Sequence, residues 1–294
     1  MDESNDPGLV YACLTHIPLW LEFPRYVTTL CLGDAQGDGK LNLRDLAPEW
    51  VPHHPVLGGT AGAFALKNYL LQYKPQATRV GVCQYRKFVS RQRISPEPAP
   101  KYRSMDLVPK EMLTPAVFTQ ALHPGEQEFL VSGPFSFGQH WKRSRRENYL
   151  EQYVKFHHVE DLLRFTAVAV ELGVLDKADI SPLFEEHCFI PGGIELGVFP
   201  VRFWINGITA LENIVRECVR QHPGSRPGYQ ARSWAFCTER LGSYLLMKHF
   251  GALGQLRLRF RRFARVFPPA WVTRHAGQLN LITEGATVDY VLGG

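Results

Sequence analysis

GGTAGAFALKNYLLQYKPQATRVGVCQY (residues 58–85) decides the fold class. Its first half carries small and apolar side chains at helical spacing, Lys74 and Pro75 mark a helix terminus, and TRVGVCQY follows as a short β-rich run. Upstream, LVYACLTHIPL (residues 9–19) is an apolar strand pattern that opens into a loop at Thr15, His16 and a proline, and YVTTLCLG (residues 26–33) repeats it. Strand, strand, helix and strand in that order predict a parallel sheet with crossover helices.

The chain has 294 residues, 45% hydrophobic and 21% charged, enough to bury one large core. No stretch approaches the roughly 18 to 20 uninterrupted apolar residues of a spanning helix. The acidic start MDESNDPG lacks the basic, apolar and small-residue order of a signal peptide, so a cytoplasmic protein is expected. Cys13, Cys31, Cys83, Cys188, Cys218 and Cys237 lie in apolar segments without a C-x-x-C pair, which points to reduced core residues. A net charge of +5 leaves nucleic acid, lipid headgroups and phosphorylated substrates all open as partners.

Farther along, SPEPAP (residues 95–100) reads as an extended loop and EFLVSGPF (residues 128–135) as another apolar run. From residue 145 the character turns helical, with Tyr149, Tyr153, Phe156, Leu163, Val168 and Leu172 on one long apolar face. CFIPGGIELGVFPVRFW (residues 188–204) reads as a strand and turn, with helices predicted over residues 205–222 and 233–250. GQLRLRFRRFARVFPPAW (residues 254–271) sets Leu256, Phe260, Phe263 and Phe267 on one helical face and Arg257, Arg261 and Arg265 on another, suited to an anionic bilayer or to phosphate. The same Arg and Phe interleaving suits nucleic acid, although no nucleic-acid-binding motif accompanies it.

GDAQGDGKLNLRDL (residues 33–46) places Asp34, Gln36, Asp38, Gly39, Asn42 and Asp45 on positions of an EF-hand loop. An EF-hand needs a helix on each side, whereas here a strand-like run precedes the loop and Pro48 interrupts the segment after it. A calcium-binding module is therefore the weaker reading of this loop, beside a polar turn or a nucleotide-side loop.

Several elements come in a recognisable order: THIPL after the first strand, GDG in the loop, Lys67 and Asn68, VGVCQYRKF (residues 80–88), QYVKFHHVEDL (residues 152–162) and RSWAFCTERL (residues 232–241). Together, over most of residues 9–250, they resemble a glycosyltransferase family found in bacterial capsular-polysaccharide and O-antigen loci, long catalogued as a domain of unknown function. Departures include Gln84 for the family's His, Lys87 for a second Arg, Pro18 and its neighbours for the Lys after His16, Gly58 for a Glu, and IPGGI for an Asn-Met element near residues 190–194.

The resemblance implies an α/β fold of the GT-A-like Rossmann type, with a mostly parallel central sheet and an α-rich acceptor portion. It also implies a donor-binding part at residues 1–144, an acceptor and catalytic part at 145–250 and a basic tail at 251–294. The expected activity is transfer of a sugar from a nucleotide sugar, UDP-linked by preference, to a surface-polysaccharide glycan carried on a polyprenyl diphosphate at the cytoplasmic membrane face. No nucleic-acid partner is expected.

Such a transfer builds negative charge on the leaving diphosphate, which cations or a metal must meet. Arg86, aided by Lys87, is read as supplying that charge without a required metal, with Mn or Mg as the alternative. Thr15, His16, Gly37, Asp38 and Tyr85 complete the expected donor site. Asp161 and Glu239 are the candidate bases. His157, His158, Arg232 and Arg240 are read as acceptor-side or supporting residues, the two histidines sharing a helical face with Asp161.

Overall fold

The computed structural model describes residues 6–19, 21–33, 41–94, 105–137, 147–224, 226–251 and 277–283. The first parallel unit consists of β1 (Leu9–Thr15), β2 (Val27–Cys31) and β3 (Leu41–Asn42), followed by the short helices α1 (Leu43–Leu46) and α2 (His54–Leu57). Helix α3 (Gly59–Tyr73) then returns the chain to β4 (Arg79–Gln84). β5 (Lys87–Ser90), β6 (Asp106–Pro109), α4 (Pro115–Leu122) and β7 (Phe135–Ser136) come next. The helical part comprises α5 (Tyr149–Phe156), α6 (Val159–Glu171), α7 (Ile180–Glu185), α8 (Val201–Gln221) and α9 (Ser233–His249), with β8 (Cys188–Phe189) and β9 (Gly197–Pro200) between α7 and α8. Strand β10 (Gln278–Thr283) closes the described chain.

The central sheet runs β3-β2-β1-β4-β5-β10-β6, with β9 also on β4. The β3-β2-β1-β4 half is parallel throughout, and β10 pairs in parallel with β6. The pairings of β4 with β5 and β9, and of β5 with β10, are antiparallel. This is the expected α/β class with a mostly parallel central sheet.

β1 shows why the sequence folds this way. From Tyr11 to Thr15 every side chain is buried, as in a strand covered on both faces. Alternate residues go to opposite sides: Ala12 and Leu14 join the core beneath α3, α8 and α9, while Tyr11 and Cys13 join the core beneath α4. α3 lies between the sheet and α8, so residues 60–67 are buried all round the helix. α8 buries Trp204, Ile208, Leu211, Val215 and Cys218, one turn apart along a single stripe.

The Lys67-Asn68 pair is structural. Lys67 forms a buried ion pair with Glu212 of α8, whose carboxylate also accepts from Trp50 Nε1 at 2.7 Å and Arg216 Nη2 at 3.1 Å. Asn68 Nδ2 donates to the Leu46 carbonyl at 2.7 Å. Every described cysteine is buried and free, as expected. Among the described residues no helix is long and apolar enough to cross a membrane.

Two expectations change. The long helix after residue 145 is two helices, because the chain becomes extended at His157 and His158. Its single apolar face divides accordingly: Tyr149, Tyr153 and Val168 are buried, while Phe156, Leu163 and Leu172 face solvent. EFLVSGPF forms only isolated bridges, Leu130 with Val198 and Ser132 with Gly277, before β7 begins. The segment assigned to a basic tail contributes β10, inserted between β5 and β6.

The EF-hand positions Asp34, Gln36, Asp38 and Gly39 lie outside the described residues, but the flanks are strands β2 and β3, paired in parallel, rather than two helices. The SPEPAP loop and the Arg/Phe segment at residues 254–271 also lie outside the described residues.

Gly81 of β4 pairs with Tyr11 of β1, and a Cβ there would overlap the Tyr11 ring. Gly81→Ala is therefore expected to cost about 1–3 kcal/mol through overpacking. Urea unfolding measures this, and a midpoint unchanged from wild type would contradict the packing argument.

Candidate functional site

The chain leaves β1 to build β2 and β3 on one side, then crosses through α3 to add β4 on the other side of β1. The strand order therefore reverses between β1 and β4, and in open α/β sheets ligands bind outside the carboxyl ends of the strands at such a point. The residues there are those just after Thr15 and Gln84.

Thr15 ends β1 with its hydroxyl engaged locally, donating to the Ile17 carbonyl at 2.5 Å and accepting from the Ile17 amide at 3.2 Å. It shapes the turn and leaves His16 exposed at the rim. The His16 ring meets Tyr85 edge-on, with centroids 5.1 Å apart, and lies 6.2 Å from His54. Tyr85 and Arg86 form the two-residue turn between β4 and β5, fixed by the Gln84–Lys87 pair and by Tyr85 N donating to Leu14 O at 3.1 Å. The Arg86 carbonyl accepts from Ile282 N of β10 at 2.8 Å, and its guanidinium lies 5.5 Å from the Tyr85 ring centre.

A third cation arrives from far along the sequence. Arg232, at the N-terminal cap of α9, lies so close to Gly58 that a Cβ there would stand 2.8 Å from Arg232 Nη2. Gly58 has φ +56, a second reason for glycine. Gly58 caps α3 without a side-chain hydrogen bond, so the first turn of α3 opens beside Arg232. Gly59 is equally crowded by the Gln84 side-chain amide, 2.5 Å from where a Cβ would stand.

Arg86, Lys87 and Arg232 repel one another. The Lys87 ammonium is held below its ordinary pKa by burial and by Arg86 and Arg232, against the attraction of Glu239. His16 is pushed down by burial, Arg86 and Arg232, which favours the neutral ring. Among the described residues, none of the three cations forms an ion pair or a side-chain hydrogen bond. Three clustered cations without an ion pair among the described residues, beside a helix start with no side-chain cap, suit a polyanion such as a diphosphate.

Two carboxylates border the cluster. Glu239 of α9 accepts from the Gly192 amide at 3.0 Å. This contact needs the IPGGI turn: Gly192 and Gly193 have φ +82 and +50, and a Cβ on Gly193 would stand 2.8 Å from the Glu239 carbonyl. Glu195, in the same segment, is buried and accepts from Thr60 Oγ1 at 3.0 and 3.2 Å. Burial foremost, then repulsion from Glu239, pushes its carboxyl up to about 7, against the Thr238 and Thr60 hydroxyls and Arg232.

The other candidates go elsewhere. His157 ends α5 and His158 begins α6, so they do not share a helical face with Asp161, contrary to expectation. Asp161 takes a bidentate pair from Arg226, at 2.6 and 3.0 Å, and is buried. The His157 Nδ1 lies 3.2 Å from Gln230 Oε1, and its ring stacks on Phe236 at 4.2 Å. Burial and Arg240 lower the His157 pKa to about 4. His158 is exposed. Arg240 turns away from Arg232 into the core, donating to Gln152 Oε1 at 2.6 Å with its guanidinium 4.8 Å from the Tyr153 ring centre. Gly37 and Asp38 lie outside the described residues.

Of the sequence candidates, the fold therefore brings together His16, Tyr85, Arg86, Lys87, Arg232 and Glu239. Glu195, Thr60 and Gly192 join them without belonging to any sequence motif. The one signal for Gly192 and Glu195 is a Glu set among glycines and apolar residues in IPGGIELG. Among the described residues, no three His, Cys, Asp or Glu side chains form a metal-holding group.

No family model and no curated protein matches this sequence. Among solved structures, the chain is similar to the apo structure of WbbM, a bifunctional glycosyltransferase, with a TM-score of 0.64 and 12% identity. The match covers 97% of this chain and 48% of that one, so the chain spans about half the length of the structure it matches. At this identity the likeness is one of fold.

The raised Glu195 pKa predicts a pH dependence. The unfolded chain loses this proton near pH 4.5, whereas the folded state keeps it to about 7, so the carboxyl's contribution to stability falls as pH rises through that window. His157 acts in the opposite sense, since its lowered pKa makes stability fall as pH drops from 6.5 to about 4, but it is common to wild type and variant. The melting temperature of Glu195→Gln relative to wild type is thus expected to climb between pH 4.5 and 7 and then level. Parallel pH profiles would refute the assignment.

Proposed function

We propose that this chain is a glycosyltransferase that moves a sugar from a nucleotide sugar to a glycan acceptor. The observation that carries the reading is the group of Arg86, Lys87 and Arg232 at the β1/β4 switch point, none of them in an ion pair among the described residues, beside the start of α3, which has no side-chain cap. The fold shared with a bifunctional glycosyltransferase supports it.

In this reading the three cations and the first amides of α3 hold the donor's diphosphate and stabilise it as the leaving group. The bond from the anomeric carbon to the diphosphate oxygen breaks, and a bond to the acceptor hydroxyl oxygen forms. Glu239 takes the hydroxyl proton, its carboxylate positioned by the Gly192 amide. His16 and Tyr85 border the nucleotide. Because the charged groups at the strand end are Arg and Lys, they take the charge-neutralising role that a divalent metal fills in other transferases, and no metal is required. UDP is the preferred nucleotide, and the acceptor class is a bacterial surface polysaccharide carried on a polyprenyl diphosphate. Asp161 is the less favoured base, because Arg226 already engages both its oxygens.

Thermal unfolding with UDP and other nucleoside diphosphates tests this reading. At a hundredfold excess over Kd, a bound nucleotide stabilises the fold by about 2.7 kcal/mol. The shift should persist in EDTA and be lost in Arg86→Ala and Arg232→Ala. Glu239→Gln should keep the shift yet lower turnover on the order of 10²- to 10⁴-fold. No shift with any nucleoside diphosphate would sink the proposal, and a shift only with manganese would sink its metal-independent form.

A further inference from the structure

Beyond the cations, the site has an aromatic wall that the donor reading does not use. Tyr229 lies in the one-turn helix Gly228–Arg232 that leads into α9. That turn is tied to the end of α5, because Gln230 Nε2 donates to the Phe156 carbonyl at 2.8 Å while its Oε1 meets His157 Nδ1. The Tyr229 ring packs 5.0 Å from Phe236, and Phe236 stacks on His157 at 4.2 Å, with Tyr153 4.8 Å behind His157. Phe236 and Tyr153 are buried and His157 is half-buried, whereas Tyr229 is 38% exposed. Its outer end is thus a rigid aromatic surface open to solvent.

Charged residues lie around it. After burial, Arg232, Glu239 and Arg240 act on the Tyr229 phenol, whereas Arg86 and Arg232 act on His16. Arg232 follows Tyr229 by three positions and reaches Gly58 at the start of α3, while Glu239 follows Phe236 by one turn of α9. The His157 ring, its pKa lowered to about 4, is neutral at physiological pH, so the column carries no charge of its own. An exposed aromatic ring bordered by a carboxylate suits a pyranose, which offers an apolar C–H face and hydroxyls at its edge.

We propose that the exposed face of Tyr229, backed by Phe236 and His157, binds a pyranose ring of the acceptor glycan and presents its hydroxyl to Glu239. This assignment rests on the transferase reading. The proton lost from the acceptor hydroxyl has a short path to Glu239, while the diphosphate stays with Arg86 and Lys87.

Saturation-transfer NMR with the methyl α-pyranosides of glucose, galactose and mannose tests the shelf without any nucleotide. Ring C–H signals from at least one of the three are expected with the wild-type chain, unchanged in Tyr229→Phe. In Tyr229→Ala they should weaken, with an affinity loss of roughly tenfold, the scale of one aromatic contact. Arg86→Ala should keep the sugar signals while losing the UDP-induced thermal shift, and Tyr229→Ala should do the reverse. Circular dichroism melts of each variant confirm folding, and Tyr229→Trp serves as a second aromatic replacement. No sugar signal in wild type, or equal signals in Tyr229→Ala, would overturn the shelf whatever UDP does. Loss of the UDP shift in Tyr229→Ala would overturn it in favour of base stacking. An absent UDP shift with Tyr229-dependent sugar signals would instead fault the donor reading.

Discussion

The parallel pairing of β1 with β4 is the constraint on which the rest depends. It runs in register from Leu9 with Arg79 to Leu14 with Gln84, so the two strands end together. Gly81 makes room for the Tyr11 ring within that pair, and α3 spans the crossover over the opposite face. Because the strands end together and the chain order reverses between them, His16 and the Tyr85-Arg86 turn come to one edge. The remaining site residues are brought to that edge by α9 and by the turn before β9. Stability and function thus share a foundation: weakening the β1/β4 pair would loosen the core and scatter the cations.

The electrostatics of the edge run against stability. Like charges held close in a partly desolvated place repel one another and cost free energy. A fold selected for stability alone would pair Arg86 and Arg232 as it pairs Lys67, Asp161 and Asp179, yet among the described residues neither arginine has an ion-pair partner. That contrast within one molecule is the strongest physical argument for an anionic ligand. The carboxylates are strained in the complementary sense, with Glu195 carrying a proton near neutrality and Glu239 kept beside Lys87. Glycines with positive φ at Gly58, Gly192 and Gly193 let backbone approach both groups.

Much of the fold was legible because local signals and tertiary demands agreed. The apolar runs of β1, β2 and β4 and the small-residue helix α3 carry their periodicity in short windows, and each packs as that periodicity says. The stretch after residue 145 misled because apolar residues at helical spacing continue across His157 and His158, where the backbone is extended. Phe156, Leu163 and Leu172 keep the spacing of a buried face but lie outside it. β10 carries an ordinary short apolar pattern, and nothing local in it announces that it pairs between β5 and β6 across nearly two hundred residues of chain, as in Asn280 with Phe88.

The candidate site divides along the same line. The sequence by itself determined the strand ends and the residues just beyond them: Thr15 and His16 at the close of β1, and Tyr85, Arg86 and Lys87 past β4, because a strand's end is written in its own hydrophobic pattern. It also determined which residues could bear charge. Only the tertiary structure decided which charges meet. Arg232 and Arg240 are eight positions apart on or beside one helix, yet one joins the cations and the other enters the core, because α9 turns one face to α3 and another to α5. Asp161 and Glu239 looked alike as carboxylates until Arg226 closed on one and the Gly192 amide on the other. Spacing along a helix reports its faces, but which neighbour each face meets depends on contacts between residues far apart in the chain, and those exist only once the core has formed.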